Sequence, residues 1–239
     1  ILGAYYHVEK LDTSTEYRFF TDIDVDGDGN IDADDCAVDF STACVYRNQF
    51  AQKKSSKALY ADLTYELGEL VTLRGGLRYT WDRGRLSDFK AQAIGIDGVP
   101  VANTIPGDPG NFDATTALRF SKGSVTGKVG VDLKLSPDHL LYASYSRGYR
   151  GSSFNSQAFF APDELTIAKP ETVDAFEIGA KTQFLDRRLT LNGAVFLYNY
   201  KNQQALSLIG VLQPLVNIPK SQIYGAELEL VVRPLDVLT

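Results

Sequence analysis

Val71-Thr72-Leu73-Arg74-Gly75-Gly76-Leu77-Arg78-Tyr79-Thr80-Trp81-Asp82 alternates without a break. Val71, Leu73, Gly75, Leu77, Tyr79 and Trp81 form one series, and Thr72, Arg74, Gly76, Arg78, Thr80 and Asp82 the other. Successive side chains of an extended chain point to opposite faces, so this stretch reads as a strand with one apolar and one polar side. Upstream, Leu59, Ala61, Leu63, Tyr65 and Leu67 alternate with Tyr60, Asp62, Thr64 and Glu66. Downstream, Val125, Val129, Val131, Leu133 and Leu135 oppose Thr126, Lys128, Asp132 and Lys134. Tyr224, Ala226, Leu228, Leu230 and Val232 carry the period again, with a shift of phase near Ile223.

Eight such strands are expected, near 1–9, 57–67, 70–83, 123–135, 140–150, 171–184, 189–201 and 220–233. Their connections alternate in length. Short turns fall at Gly68-Glu69, Ser136-Pro137-Asp138-His139 and Leu185-Asp186-Arg187-Arg188, and long connections fill 10–56, 84–122, 151–170 and 202–219. Short turns on one side and long loops on the other are the layout of an outer-membrane barrel. A bilayer has no water for backbone N–H and C=O groups, so strands cross it only within a closed sheet. A soluble antiparallel sandwich also alternates, but its strands average about 5–6 residues, and a tilted crossing strand needs about 9–11. The expected fold is therefore all-β, an antiparallel up-and-down transmembrane β-barrel segment. Aromatic residues near the strand ends, among them Tyr5, Tyr6, Tyr79, Trp81, Phe184 and Tyr198, suit the headgroup zone.

Composition agrees. The 239 residues include 13 Tyr, 13 Phe and 20 Gly, and no run of apolar residues is long enough for a membrane-spanning helix. The net charge of -6 is local, because residues 21–40 hold eight Asp and no Lys or Arg. The remainder carries 22 acidic against 24 basic residues, without a basic helix or run, so no nucleic-acid partner is expected.

Three segments add a family resemblance: LYASYSRGYRGSSFN from Leu141, KPETVDAFEIGAKTQFLDRRLTLNGAVFLYNYKNQQ from Lys169, and IYGAELELVVRPLDVLT from Ile223. Together they resemble the C-terminal barrel half of TonB-dependent outer-membrane receptors, specifically over 140–239 and more weakly over 57–83 and 123–139. The resemblance implies a 22-stranded barrel in the Gram-negative outer membrane, closed by an N-terminal plug that the TonB energy-coupling complex engages. Residues 1–239 then read as part of that barrel domain, without the plug and the final strands. It also implies energy-coupled uptake of a scarce nutrient, most often a ferric siderophore or other iron chelate. Outer-membrane lipid and lipopolysaccharide would be further partners. A passive porin and an outer-membrane barrel enzyme are the alternatives. The enzyme would need a Ser or Asp beside His7, and no HExxH, P-loop, nucleophile elbow or CxxC occurs, so no enzymatic activity and no redox cofactor are expected.

Within the 10–56 connection, Asp24 to Asp35 follows the EF-hand calcium pattern. Asp24, Asp26 and Asp28 take positions 1, 3 and 5, and Gly29 supplies the sharp turn. Asn30 offers its carbonyl, Asp32 acts through water, and Asp35 stands where the longer Glu is usual. Hard oxygen donors suit a structural Ca²⁺. Cys36 and Cys44, the two cysteines, follow at once and suit a disulfide in an oxidising compartment.

Arg83, Arg85, Arg147 and Arg150, with Lys122, Lys169 and Lys201, fall at the loop ends of strands. They suit a rim that attracts an anionic ligand, contacts to lipopolysaccharide phosphates, or long side chains snorkelling to the membrane surface. If the acidic loop holds calcium, chelation is expected to speed proteolysis of the full-length receptor within residues 22–39. An unchanged cleavage rate would remove the assignment.

Overall fold

The structure, a computed structural model, describes residues 1–19, 24, 27–31, 44–95, 112–114, 117–158, 162–208 and 214–233. Its strands are β1 (Leu2–Phe19), β2 (Cys44–Leu67), β3 (Val71–Gly95), β4 (Phe112–Ala114), β5 (Leu118–Ser136), β6 (His139–Arg150), β7 (Ser153–Asn155), β8 (Thr166–Ala168), β9 (Glu171–Phe184), β10 (Leu189–Leu206) and β11 (Leu215–Val232). A short 3-10 turn, Pro162–Glu164, precedes β8. Eight strands form one antiparallel sheet in the order β1-β2-β3-β5-β6-β9-β10-β11, with β4 added to β3. All eight expected strands are present and pair with their chain neighbours.

The strands are longer than alternation implies. Residues 10–19 and 44–56, read as loop, are the upper arms of β1 and β2, paired up to Phe19↔Cys44. β3 has 25 residues, roughly 80 Å of extended chain at about 3.3 Å per residue. Only about 9–11 residues are needed to cross a membrane, so these arms stand well clear of it. There neither face meets lipid, Val45, Tyr46 and Asn48 of β2 are buried, and the pattern disappears although the backbone ladder continues. Arg47 joins the arms by donating to Glu16 Oε1 at 2.7 Å. The hydrogen bond from Arg47, with Arg18 also beside it, holds the Glu16 carboxyl below its ordinary range. The phase shift expected near Ile223 is absent, since β10 and β11 keep one register from Leu189↔Val232 to Lys201↔Lys220.

One face of the sheet is apolar and exposed: Leu59, Leu63, Leu73, Leu77, Trp81, Val129, Ile178, Val195 and Leu228 lie on it. The register aligns them across strands, as in Leu63↔Gly75↔Val129. Between the short turns and the extracellular end, the opposite face is polar. At the upper end that polar side turns apolar and gains a cover. Leu86, Phe89 and Ala91 of β3 pack with Phe154, Ala158 and Leu165 from the 151–170 connection, against Phe120 of β5. Leu86 and Phe89 are three residues apart yet share this cluster. A β-bulge in β3 makes this possible: Asp88, at φ 59°, and Phe89 together stand opposite Phe50, between the Ala51↔Ser87 and Gln49↔Lys90 pairs.

Side-chain amides tether the covering segment. Asn217 of β11 accepts from the Lys169 N–H at 2.7 Å and donates to the Lys169 and Asn202 carbonyls. Gln204 of β10 donates to the carbonyls of Gly151 and Lys169. Asn217→Ala is expected to release Lys169 and increase protease cleavage within 151–168 several-fold, without changing barrel content by circular dichroism.

Glycines on the sheet make room for rings from the next strand. A side chain at Gly179 would place its Cβ 2.6 Å from the Tyr142 ring. That ring lies flat there and donates its hydroxyl to Glu177 Oε1 at 2.6 Å. Gly179→Val is expected to expel the ring, losing about 2 kcal/mol for a hydrogen bond to a charged acceptor. Heat unfolding of the full-length receptor in detergent would read this as a lowered transition.

Candidate ligand-binding face

The polar face is built from alternate residues of the same strands, and several of its charges have ionic or hydrogen-bond partners. Lys128 Nζ lies 2.9 Å from Asp62 Oδ2 across β3, where Gly76 leaves the gap they need. Arg74 binds Asp132, which is 9% exposed. Tyr142 binds Glu177, and Asn192 donates to Glu229 at 2.7 Å. A wall of this kind is stable only where each charge meets a partner or water. It can pass a polar solute and has no place against lipid tails.

The extracellular end of this face holds a small cavity of about 240 Å³. His7 of β1, Lys54 of β2, Asp82 of β3, Phe120 of β5 and Arg150 of β6 contribute to its lining, with Ser152 behind them. The Tyr149 hydroxyl donates to Asp82 Oδ2 at 2.6 Å and draws the end of β6 toward β3. Gly151 sits against the same carboxylate, where a Cβ would come within 3.1 Å. The Ser152 hydroxyl is buried and has no hydrogen-bond partner among the described residues. Lys54 and Arg150, the carboxylates of Glu9 and Asp82, and an aromatic ring thus surround a space open to the mouth. This combination can hold a compact anion with an aromatic portion.

The four arginines marked in the sequence do not form one cluster. Arg83 and Arg85 continue the exposed series of Leu77, Tyr79 and Trp81 and stand on the apolar side, beyond its ring pair. Arg147 is on that side too, 3.7 Å from Asp174. Arg150 lines the cavity. Alternation alone shows the side taken by Arg83 and Arg85. Of the cavity's other residues, His7 entered the sequence reading only through the enzyme alternative and Asp82 only as a polar-face position; Lys54 and Ser152 carry no motif, and Tyr149 and Asp82 are 67 residues apart. His7 lies near the extracellular mouth, whereas His139 is at a short turn, bonded to Ser136 at 2.7 Å.

In the acidic stretch, Asp24 accepts from the Gly27 and Gly29 N–H groups at 2.7 and 2.9 Å, and Asp28 accepts from the Asn30 N–H at 2.7 Å. Gly27 and Gly29 have φ of 77° and 89°, a left-handed backbone that glycine permits. Asp26, Asp32, Asp35 and Cys36 lie outside the described residues, and with them the full calcium ligand set and the Cys36–Cys44 bridge. Cys44 opens β2. Among the described residues, no group of three or more His, Cys, Asp or Glu is placed to hold a metal.

Comparison with known proteins matches residues 2–238 to the family described as TonB dependent receptor-like, beta-barrel. The pesticin receptor of Yersinia pestis is 25% identical over 172 residues, covering 72% of this chain and 23% of that protein. The chain thus spans about a quarter of that relative's length. The crystal structure of the ferric yersiniabactin uptake receptor FyuA from Yersinia pestis superposes with a TM-score of 0.60 at 22% identity, covering 80% of this chain and 26% of that one. The siderophore receptor PiuA from Acinetobacter baumannii gives 0.60 at 21% identity, covering 98% and 33%. These likenesses carry the fold: the apolar side faces the lipid of the Gram-negative outer membrane, the polar side faces the barrel interior, and the short turns are periplasmic. The chain belongs to the TonB-dependent receptors, as a stretch of their outer-membrane β-barrel.

Proposed function

We propose that this barrel belongs to a receptor that captures a scarce nutrient at its extracellular mouth and imports it with energy delivered through TonB. We further infer that the nutrient is an anionic iron chelate of the ferric-siderophore class. The observation that carries the reading is the mouth cavity, where Lys54 and Arg150 converge beside His7 and Phe120 on the interior side. A ferric chelate with carboxylate, phenolate or catecholate arms offers negative charge to the cations and a ring to the phenyl group. The relatives' names point the same way: one is a ferric yersiniabactin uptake receptor and another a siderophore receptor.

Capture would proceed in two stages on this wall. Arg150 and Lys54 draw the anion into the mouth by electrostatic focusing, which is stronger in a recess than on open surface. The solute then meets a lining in which Lys128 is paired with Asp62 and Arg74 with Asp132. Those pairs carry no net charge to trap it. A solute held tightly at the mouth and loosely below suits release toward the periplasm once energy is supplied.

Uptake of ⁵⁵Fe-labelled chelates by cells with and without the full-length gene tests the assignment. Iron accumulation is expected to require both this gene and TonB. Equal uptake without TonB would replace the proposal with passive diffusion. Lys54→Ala with Arg150→Ala is expected to weaken chelate binding about tenfold or more, roughly 1.4 kcal/mol, with the barrel still assembled. Unaltered binding would move the ligand site away from this cavity.

A further inference from the structure

We propose that a recess in the interior wall below the mouth cavity, centred on Arg78, is a second oxyanion site that takes a carboxylate of the solute on its way inward; this rests on the uptake function proposed for the barrel. The register of the sheet builds the recess. Arg78 of β3 stands beside Thr126 of β5. In the next row toward the periplasm, Asp62, Gly76, Lys128 and Ser146 lie side by side on β2, β3, β5 and β6. These residues line a space of about 360 Å³. Gly76 gives it depth, since a Cβ there would stand 2.8 Å from Asp62 Oδ2.

Arg78 carries the charge of this recess. The carboxylates that flank it on the wall are engaged elsewhere: Asp62 with Lys128 at 2.9 Å, and Asp82, four residues along β3, with the Tyr149 hydroxyl at 2.6 Å. Among the described residues Arg78 has no ion pair. It is nevertheless held in place. Its Nε donates to Thr80 Oγ1 at 3.0 Å, and its guanidinium carbon lies 5.1 Å from the centre of the Tyr5 ring. These contacts fix the plane of the group and leave both Nη atoms to donate. One guanidinium end matches one carboxylate in charge and in its two parallel donors. Thr126 and Ser146 add hydroxyl groups at the edge of the same space. A half-buried cation without an acid is costly, and an arriving carboxylate offsets that cost.

A line of rings joins the recess to the mouth. His7, in the lining of the mouth cavity, stacks on Tyr5 with 6.3 Å between ring centres and 15° between planes. Tyr5 in turn lies beneath Arg78. A solute with a ring and a carboxylate meets aromatic faces throughout this path, which descends about 13 Å from Asp82 to Arg78 at 3.3 Å per residue. One unpaired cation here, against Lys54 and Arg150 above, makes the recess the weaker of the two sites, so the solute is passed down without being trapped.

The test labels arginines of the full-length receptor in detergent with phenylglyoxal, reads Arg78 by peptide mass spectrometry, and uses iron-free citrate as the carboxylate probe, with uncharged triethyl citrate as control. Arg78 is expected to react, and saturating citrate to slow the reaction at least fivefold while triethyl citrate does not. The protection is expected to persist in the K54A/R150A receptor, where the mouth site is removed. An Arg78 that is inert without citrate would overturn the proposal, because a carboxylate from another part of the receptor would then already hold it. Unslowed labelling would overturn it too, as would protection that vanishes in K54A/R150A, since citrate would then only block the entrance. Labelling needs no transported chelate, so its outcome is separate from that of the iron-uptake assignment. With a chelate whose import is established, R78Q is expected to keep surface binding in de-energised cells and to slow import at least threefold. Import at the unaltered rate would overturn the passage through Arg78, and assembly of the variant is checked by the heat-dependent mobility of the barrel.

Discussion

Each strand of this sheet must satisfy its backbone hydrogen bonds through its neighbours, because the medium on its apolar side offers none. The continuous pairing of β2 with β3 and of β3 with β5 meets that condition through the whole membrane-crossing stretch. Other features of the sheet depend on it. Register cannot slip by one residue, since a slip would send Arg74 and Arg78 into hydrocarbon and Leu73 and Leu77 into the interior. With register held, the polar face can place charges on different strands opposite one another, and Lys128 finds Asp62 across the gap left by Gly76.

The interior face and the upper exterior strip of β1, β2, β3 and β5 handle charge differently. Inside, Arg74 is matched with Asp132 and Lys128 with Asp62. Outside, above the rings, Lys10, Lys53, Arg85 and Arg119 stand in a row with no acid among them. One backbone thus supports a passage with paired charges and a strongly positive collar, depending only on whether a residue is odd or even along its strand.

How much of this is legible in the sequence depends on how many solvents a strand meets. Between Leu67 and Trp81 the two faces meet different media, and simple alternation reveals strand, face and register. Residues 10–19 and 44–56 meet lipid on neither side, and Val45, Tyr46 and Asn48 are buried, so their strands carry no such mark although Arg47 and Glu16 still join them. The mouth cavity is hidden for another reason. It depends on Tyr149 reaching Asp82 across a distance no local pattern encodes, and on amides such as Gln204 that fasten the 151–170 segment from a distant strand. The facing of Arg83 and Arg85 was legible all along, by counting in twos from Trp81.

The bulge at Asp88 resets that count. Below it, even-numbered residues of β3 look into the barrel; above it, Phe89 and Ala91 do so instead. The upper hairpin is in this sense geared separately from the membrane-spanning part. Single-residue gains or losses near Asp88 can be absorbed by such an irregularity, so the exposed arms are free to diversify in length and surface while the crossing segment keeps its sidedness.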